Sequence, residues 1–188
     1  MNRKTKDQEL VLKHKCKNME TITFDKLLLK TAFCCMAADG NIDKREIALI
    51  KSLYEKSPLF EKLDFQSEIN QLITKINTNG KVFIQHYFDL LKESQLSEQE
   101  ELTLIDFAIQ TINADEQVEY SEIKFFKNIR HRLNVRDEKI LEHFPEIEQY
   151  LEQDIITESF LDKITSQYFD ATELPQFELI TDDTTDKE

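Results

Sequence analysis

Six carboxylates fall into two similarly spaced triplets: Asp39, Asp43 and Glu46, then, 76 residues further on, Asp115, Glu119 and Glu122. Clusters of this kind suit hard divalent cations, because Ca²⁺ and Mg²⁺ are held almost wholly by carboxylate, carbonyl and water oxygens. Asp43 and Glu46 are three residues apart, which puts both on one side of a helix's first turn. Asp39 precedes them in a loop, Asn41 adds an oxygen donor, and Gln117 holds the equivalent place in the second triplet. The loop is not an EF-hand, which needs a longer run of alternating oxygen ligands ending in a bidentate Glu. The same residues also have a purely structural use. Asp43-x-x-Glu46 is a capping box and Glu119-x-x-Glu122 an imperfect one. Acids in a first turn favour the helix dipole by roughly 0.3–1 kcal/mol each, and Asp39 can tie its loop through backbone hydrogen bonds. The residues alone leave cation binding and simple capping both open.

Other chemistries find less material. Among His14, His86, His131 and His143, none follows a Glu by three positions, so the di-iron pattern of helical bundles is missing, and no His-Glu-x-x-His zinc motif occurs. With Gly40 and Gly80 as the two glycines of the chain, no Gly-rich phosphate loop can form. Cys34 and Cys35 are adjacent in an apolar run and are expected to pack as reduced core residues; Cys16, between Lys15 and Lys17, reads as an exposed thiol. No nucleophile–base pairing emerges, so the expectation is a protein that is not an enzyme.

The elements that position the acidic triplets are helical, as 2 Gly and 3 Pro in 188 residues already indicate. Leu27, Leu28, Leu29, Ala32, Phe33, Cys34 and Met36 make a helix apolar nearly all round, which belongs inside a bundle. A one-sided helix follows, with Ile47, Ile50 and Tyr54 inward and Lys44, Arg45, Lys51 and Glu55 outward, closed by Pro58. Phe65, Ile69, Leu72, Ile73 and Ile76 predict a third helix, Asn79-Gly80 a turn, and Phe83, Tyr87, Leu90 and Leu91 a fourth. Ser97-Glu98-Gln99-Glu100 is a capping box that opens a fifth, again apolar on most sides through Ile112. Ile123, Phe126, Ile129 and Leu133 mark a sixth helix; a seventh runs from Arg136 toward Phe144, with Pro145 kinking it or starting a further piece through Tyr150.

Shifted by 76 residues, the chain matches itself beyond the two loops: Leu28, Leu29, Ala32, Phe33 and Met36 fall on Leu104, Ile105, Ala108, Ile109 and Ile112, and Ile47 and Ile50 on Ile123 and Phe126. A buried helix, an acidic loop and a one-sided helix thus occur twice, which predicts an all-α bundle with an internal pseudo-two-fold repeat and the two buried helices at its centre. The string Ala37-Ala38-Asp39-Gly40-Asn41-Ile42-Asp43-Lys44-Arg45-Glu46, set between those two kinds of helix, resembles the signature of the TerB-like (tellurite-resistance protein B) family. Asn113-Ala114-Asp115, followed by Glu119 and Glu122, is similar to that family's second loop. The resemblance covers roughly residues 22–133, about three fifths of the chain. It implies an all-α fold of about seven helices, acidic residues that bind a divalent metal, and a non-enzymatic role in tellurite and other chemical stress, in membrane-associated complexes. Glu116 stands where the first copy has Gly40, so the second loop departs from the first.

The net charge of −13 is unevenly spread, with +4 over residues 1–17 and −12 over 141–188. An acidic protein repels phosphate backbones, so nucleic acid is not an expected partner. A protein partner is expected. No run approaches the roughly 18 uninterrupted apolar residues of a membrane span, and Asp7-Gln8-Glu9 interrupts what could begin a signal peptide, so the expected location is the cytoplasm. Residues 1–20 read as a basic flexible arm, 21–150 as the helical domain, and 151–174 as an amphipathic helix with Phe160, Leu161, Ile164 and Tyr168. Residues 175–188 read as an acidic tail too polar to pack.

Overall fold

A helix with apolar side chains on every side must be surrounded, and α1 (Phe24–Met36) is: every residue from Leu27 to Met36 is buried. The computed structural model describes residues 22–39, 44–61, 63–114, 120–151 and 177–180. Seven α-helices and no strand occur among them. They are α1, α2 (Lys44–Lys56), α3 (Phe65–Glu93), α4 (Glu98–Ile112), α5 (Tyr120–Arg130), α6 (Asp137–His143) and α7 (Glu148–Leu151). No helix among the described residues is long and apolar enough to cross a membrane.

The widest helix–helix interface joins α1 to α4, the two helices whose patterns demanded an interior. Around this pair, α1 also touches α5 and α2 touches α4. Burial of α1 includes polar Thr31, whose hydroxyl donates to the Leu27 carbonyl at 2.9 Å and accepts from the Tyr87 hydroxyl at 3.0 Å. No cost of an unpaired buried hydroxyl arises there. Cys34 and Cys35 are both fully buried, as their apolar setting predicts.

On α2, Ile50 is buried, Ile47, Leu53 and Tyr54 are half-buried against the core, and Arg45 and Glu55 face water. Pro58–Phe60 forms a 3₁₀ turn that brings Phe60 to Tyr54 (ring centroids 4.9 Å) and to Phe107 of α4 (5.6 Å). Phe60 thus links α2 to α4 through aromatic contacts.

The third and fourth expected helices are both present within α3, two helical stretches joined across a kink at Asn79, where the sequence places its turn. Asp64 caps its start, accepting from the Ser67 N–H at 3.1 Å. Within the run only Asn79 leaves helical geometry (φ −160°, ψ 86°), and its side chain accepts from the Val82 N–H at 3.1 Å. Asn79 thus acts as an N-cap inside a kinked helix, serving the donors the break exposes. Gly80 is buried just after it.

At the other end of the bundle's core, Glu101 of α4 is 3% exposed, yet its carboxylate is fully occupied. It accepts from the Asn134 N–H (2.9 and 3.0 Å), the Asn134 side-chain amide (3.1 Å) and the Val135 N–H (2.6 Å). That carboxylate fixes the loop between α5 and α6. Pro145–Ile147 forms a 3₁₀ turn between α6 and α7, so the proline starts a further piece instead of merely bending one helix.

Candidate functional site

The acidic triplets are placed by the ends of the buried helices. After α1 the chain makes a 3₁₀ turn, Ala37–Asp39, which ends on the first acid of the motif. Glu46 stands in the opening turn of α2 and Glu122 in the opening turn of α5. Asp43, Asp115 and Glu119 lie outside the described residues, as do Gly40, Asn41 and Gln117. Two contacts bear on how the copies relate. The Ala37–Asp39 turn packs against α5, and Glu122 on that helix is 5% exposed. The incoming end of the first loop thus lies on the helix that carries the last acid of the second. Among the described residues no group of three metal-ligating side chains stands together. The donor set remains wholly oxygen, which fits a hard cation and not a thiolate- or imidazole-seeking one.

The chain also shows how it uses such acids for capping alone. At Ser97 the full box is formed: the Glu100 N–H donates to Ser97 Oγ at 3.3 Å, and the Ser97 N–H donates to Glu100 Oε2 at 2.8 Å. Those bonds to Ser97 hold the Glu100 carboxyl below its usual pKa.

A second constellation was not legible beforehand. Three primary amides on one stripe of α3, Gln66, Asn70 and Asn77, grip residues 177–180 of the tail. Asn77 donates to the Phe177 carbonyl at 2.8 Å and accepts from the Phe177 N–H at 2.9 Å. Asn70 does the same with Ile180, at 3.0 and 2.9 Å, and Gln66 also donates to the Ile180 carbonyl. Phe177 is buried and Ile180 is half-buried against the core. Part of the tail expected to remain unpacked is therefore seated. An aromatic anchor and satisfied main-chain groups outweigh the polarity of its neighbours. The signal in the sequence is the row of amides beside the apolar stripe, paired with the chain's last apolar group, Phe177, Leu179 and Ile180. The predicted amphipathic helix over 151–174 and the basic arm lie outside the described residues.

Between α1 and the bend of α3 runs an open groove of about 1140 Å³, whose lining includes Lys26, Lys30, Lys75, Phe83 and His86. Lys30 is nearly buried; its Nζ lies 3.4 Å from His86 Nδ1 and 4.7 Å from the centre of the Phe83 ring. Lys26 bridges to Glu68 across the helices at 2.6 Å. Cys34 feels the Lys30 charge, but burial dominates and pushes its thiol up to about 12, so it offers no thiolate at neutral pH.

Set beside known protein families, curated proteins and solved structures, the chain matches none of them.

Proposed function

We propose that this protein is a non-enzymatic, TerB-like module of the cytoplasmic stress response, to tellurite or related chemical stress, that works by binding. Its duplicated acidic loops take a divalent cation of the Ca²⁺ or Mg²⁺ class, and the helical bundle they brace presents surfaces to partner proteins. The observation that carries this is the packing of the Ala37–Asp39 turn on α5, the helix that bears buried Glu122. It supports a pseudo-two-fold pairing in which one acidic motif leans on the other's outgoing helix. A cation there would be held by Asp39, Asp43 and Glu46, or by Asp115, Glu119 and Glu122. Calorimetric titration of the whole chain with Ca²⁺, Mg²⁺, Mn²⁺ and Zn²⁺ tests it. Saturable binding lost in Asp39→Ala/Asp115→Ala supports the proposal; no heat with any of the four cations refutes the cation half.

A metal-free interaction module, with the loop acids as helix caps, has its own support. The Ser97–Glu100 box and the loop-holding carboxylate of Glu101 show this chain spending acids on purely structural hydrogen bonds. Under that alternative, Asp43→Ala lowers stability equally with or without cation.

A further inference from the structure

Asn70 and Asn77 are two copies of one device. Each amide accepts from the N–H and donates to the C=O of a single tail residue, so that a side chain takes the place of a neighbouring strand. The two copies are in register. Seven helical residues advance about 10.5 Å, while three residues of polyproline II-type chain advance about 9.3 Å and return to the same face. The tail runs antiparallel to α3, since Asn77 meets Phe177 and Asn70 meets Ile180. The five hydrogen bonds that join Gln66, Asn70 and Asn77 to Phe177 and Ile180 all use main-chain atoms of the tail. Recognition through main-chain groups asks for an extended backbone and leaves selectivity to the side chains seated beside it. Here those are Phe177 and Ile180; Glu178 and Leu179 are exposed.

We propose that the Gln66–Asn70–Asn77 face of α3 is a receptor groove for an extended protein segment with an aromatic residue followed three positions later by an aliphatic one. The chain's own Phe177–Ile180 is its tethered resident, and a partner's segment of the same pattern displaces it. This rests on the partner-binding half of the proposed function and is independent of the cation half. The partner class follows from what the groove measures: two backbone registers and two apolar anchors. Tethering raises the local concentration of the resident to about the millimolar range, so the free groove is hidden from weak ligands and open to a competitor of higher affinity.

The test uses the full-length chain in EDTA and a fluorescent peptide of sequence Leu-Pro-Gln-Phe-Glu-Leu-Ile-Thr-Asp. Phe177→Ala/Ile180→Ala empties the groove and should bind the peptide at least about tenfold more tightly than the parent chain. Adding Asn70→Ala/Asn77→Ala should remove that gain, and Leu179→Ser should leave the parent's weak binding unchanged. Equal binding by the parent and the released variant, or full binding without the two asparagines, overturns the proposal. Should the released variant not fold, hydrogen exchange on the parent decides. Protection of the Phe177 and Ile180 amides must fall on adding excess peptide, and protection that persists overturns it. A dimer of the parent chain that Phe177→Ala/Ile180→Ala dissolves would assign the groove to a second copy's tail and overturn the tethered arrangement. Because EDTA is present throughout, failure here leaves the cation titration untouched, and the reverse holds.

Discussion

Single carboxylates carry unequal weight in this protein, and their surroundings decide which matter. Glu101 is buried and accepts from two backbone N–H groups and an amide, so Glu101→Ala leaves the Asn134 and Val135 donors unserved inside the fold. The expected loss is roughly 3 kcal/mol in urea unfolding, with Glu101→Gln costing less because one acceptor oxygen remains. Glu100, at the surface of the same helix, gives a smaller and pH-dependent effect. Its folded-state pKa lies below 4.5, so its contribution is present above that value and fades as pH falls through the lower, folded-state one. Ser97→Ala should cost about 1 kcal/mol near neutrality, and that difference should shrink as the pH falls below the usual carboxylate range. A difference that grows with acidity would contradict the capping geometry. Cys34 and Cys35 are sealed in α1, and the Cys34 thiol is pushed up to about 12; both should react with a disulfide reagent only after unfolding.

At the scale of elements, periodicity made most of the helices legible. α1 and α4 betray their central position because apolar residues cover most of their sides, and Ser97-x-x-Glu100 names its own cap. The Asn79-Gly80 signal marks the place where helical geometry breaks. Asn79 leaves helical geometry and its side chain takes the Val82 N–H, so one helical stretch stops there and the next starts at once across a kink. Asn79→Ala should destabilise by about 1 kcal/mol through loss of the cap on Val82, measured by thermal unfolding. The seat of the tail was illegible for another reason. Phe177–Ile180 has no helical or strand period, and its partners, Asn70 and Asn77, lie 110 and 100 residues away in sequence. Only folding brings them together, and amides on a half-exposed stripe read like ordinary surface until it does.

For the whole molecule, the all-helical architecture follows from α1 packed on α4, and Phe33→Ala, which empties a fully buried site between helices, should cost about 3–5 kcal/mol. The resemblance to the TerB-like family carries the central proposal, that the duplicated acidic loops take a divalent cation. A ligand bound only by the folded state stabilises it by about 2.7 kcal/mol at a concentration a hundred times its Kd. Thermal unfolding of the full chain in EDTA and in excess Ca²⁺ or Mg²⁺, repeated on Asp39→Ala/Asp115→Ala, therefore measures the claim directly. The predicted result is a Tm raised by cation in the parent chain and unmoved in the variant. Equal Tm values for the parent chain with and without cation would contradict it.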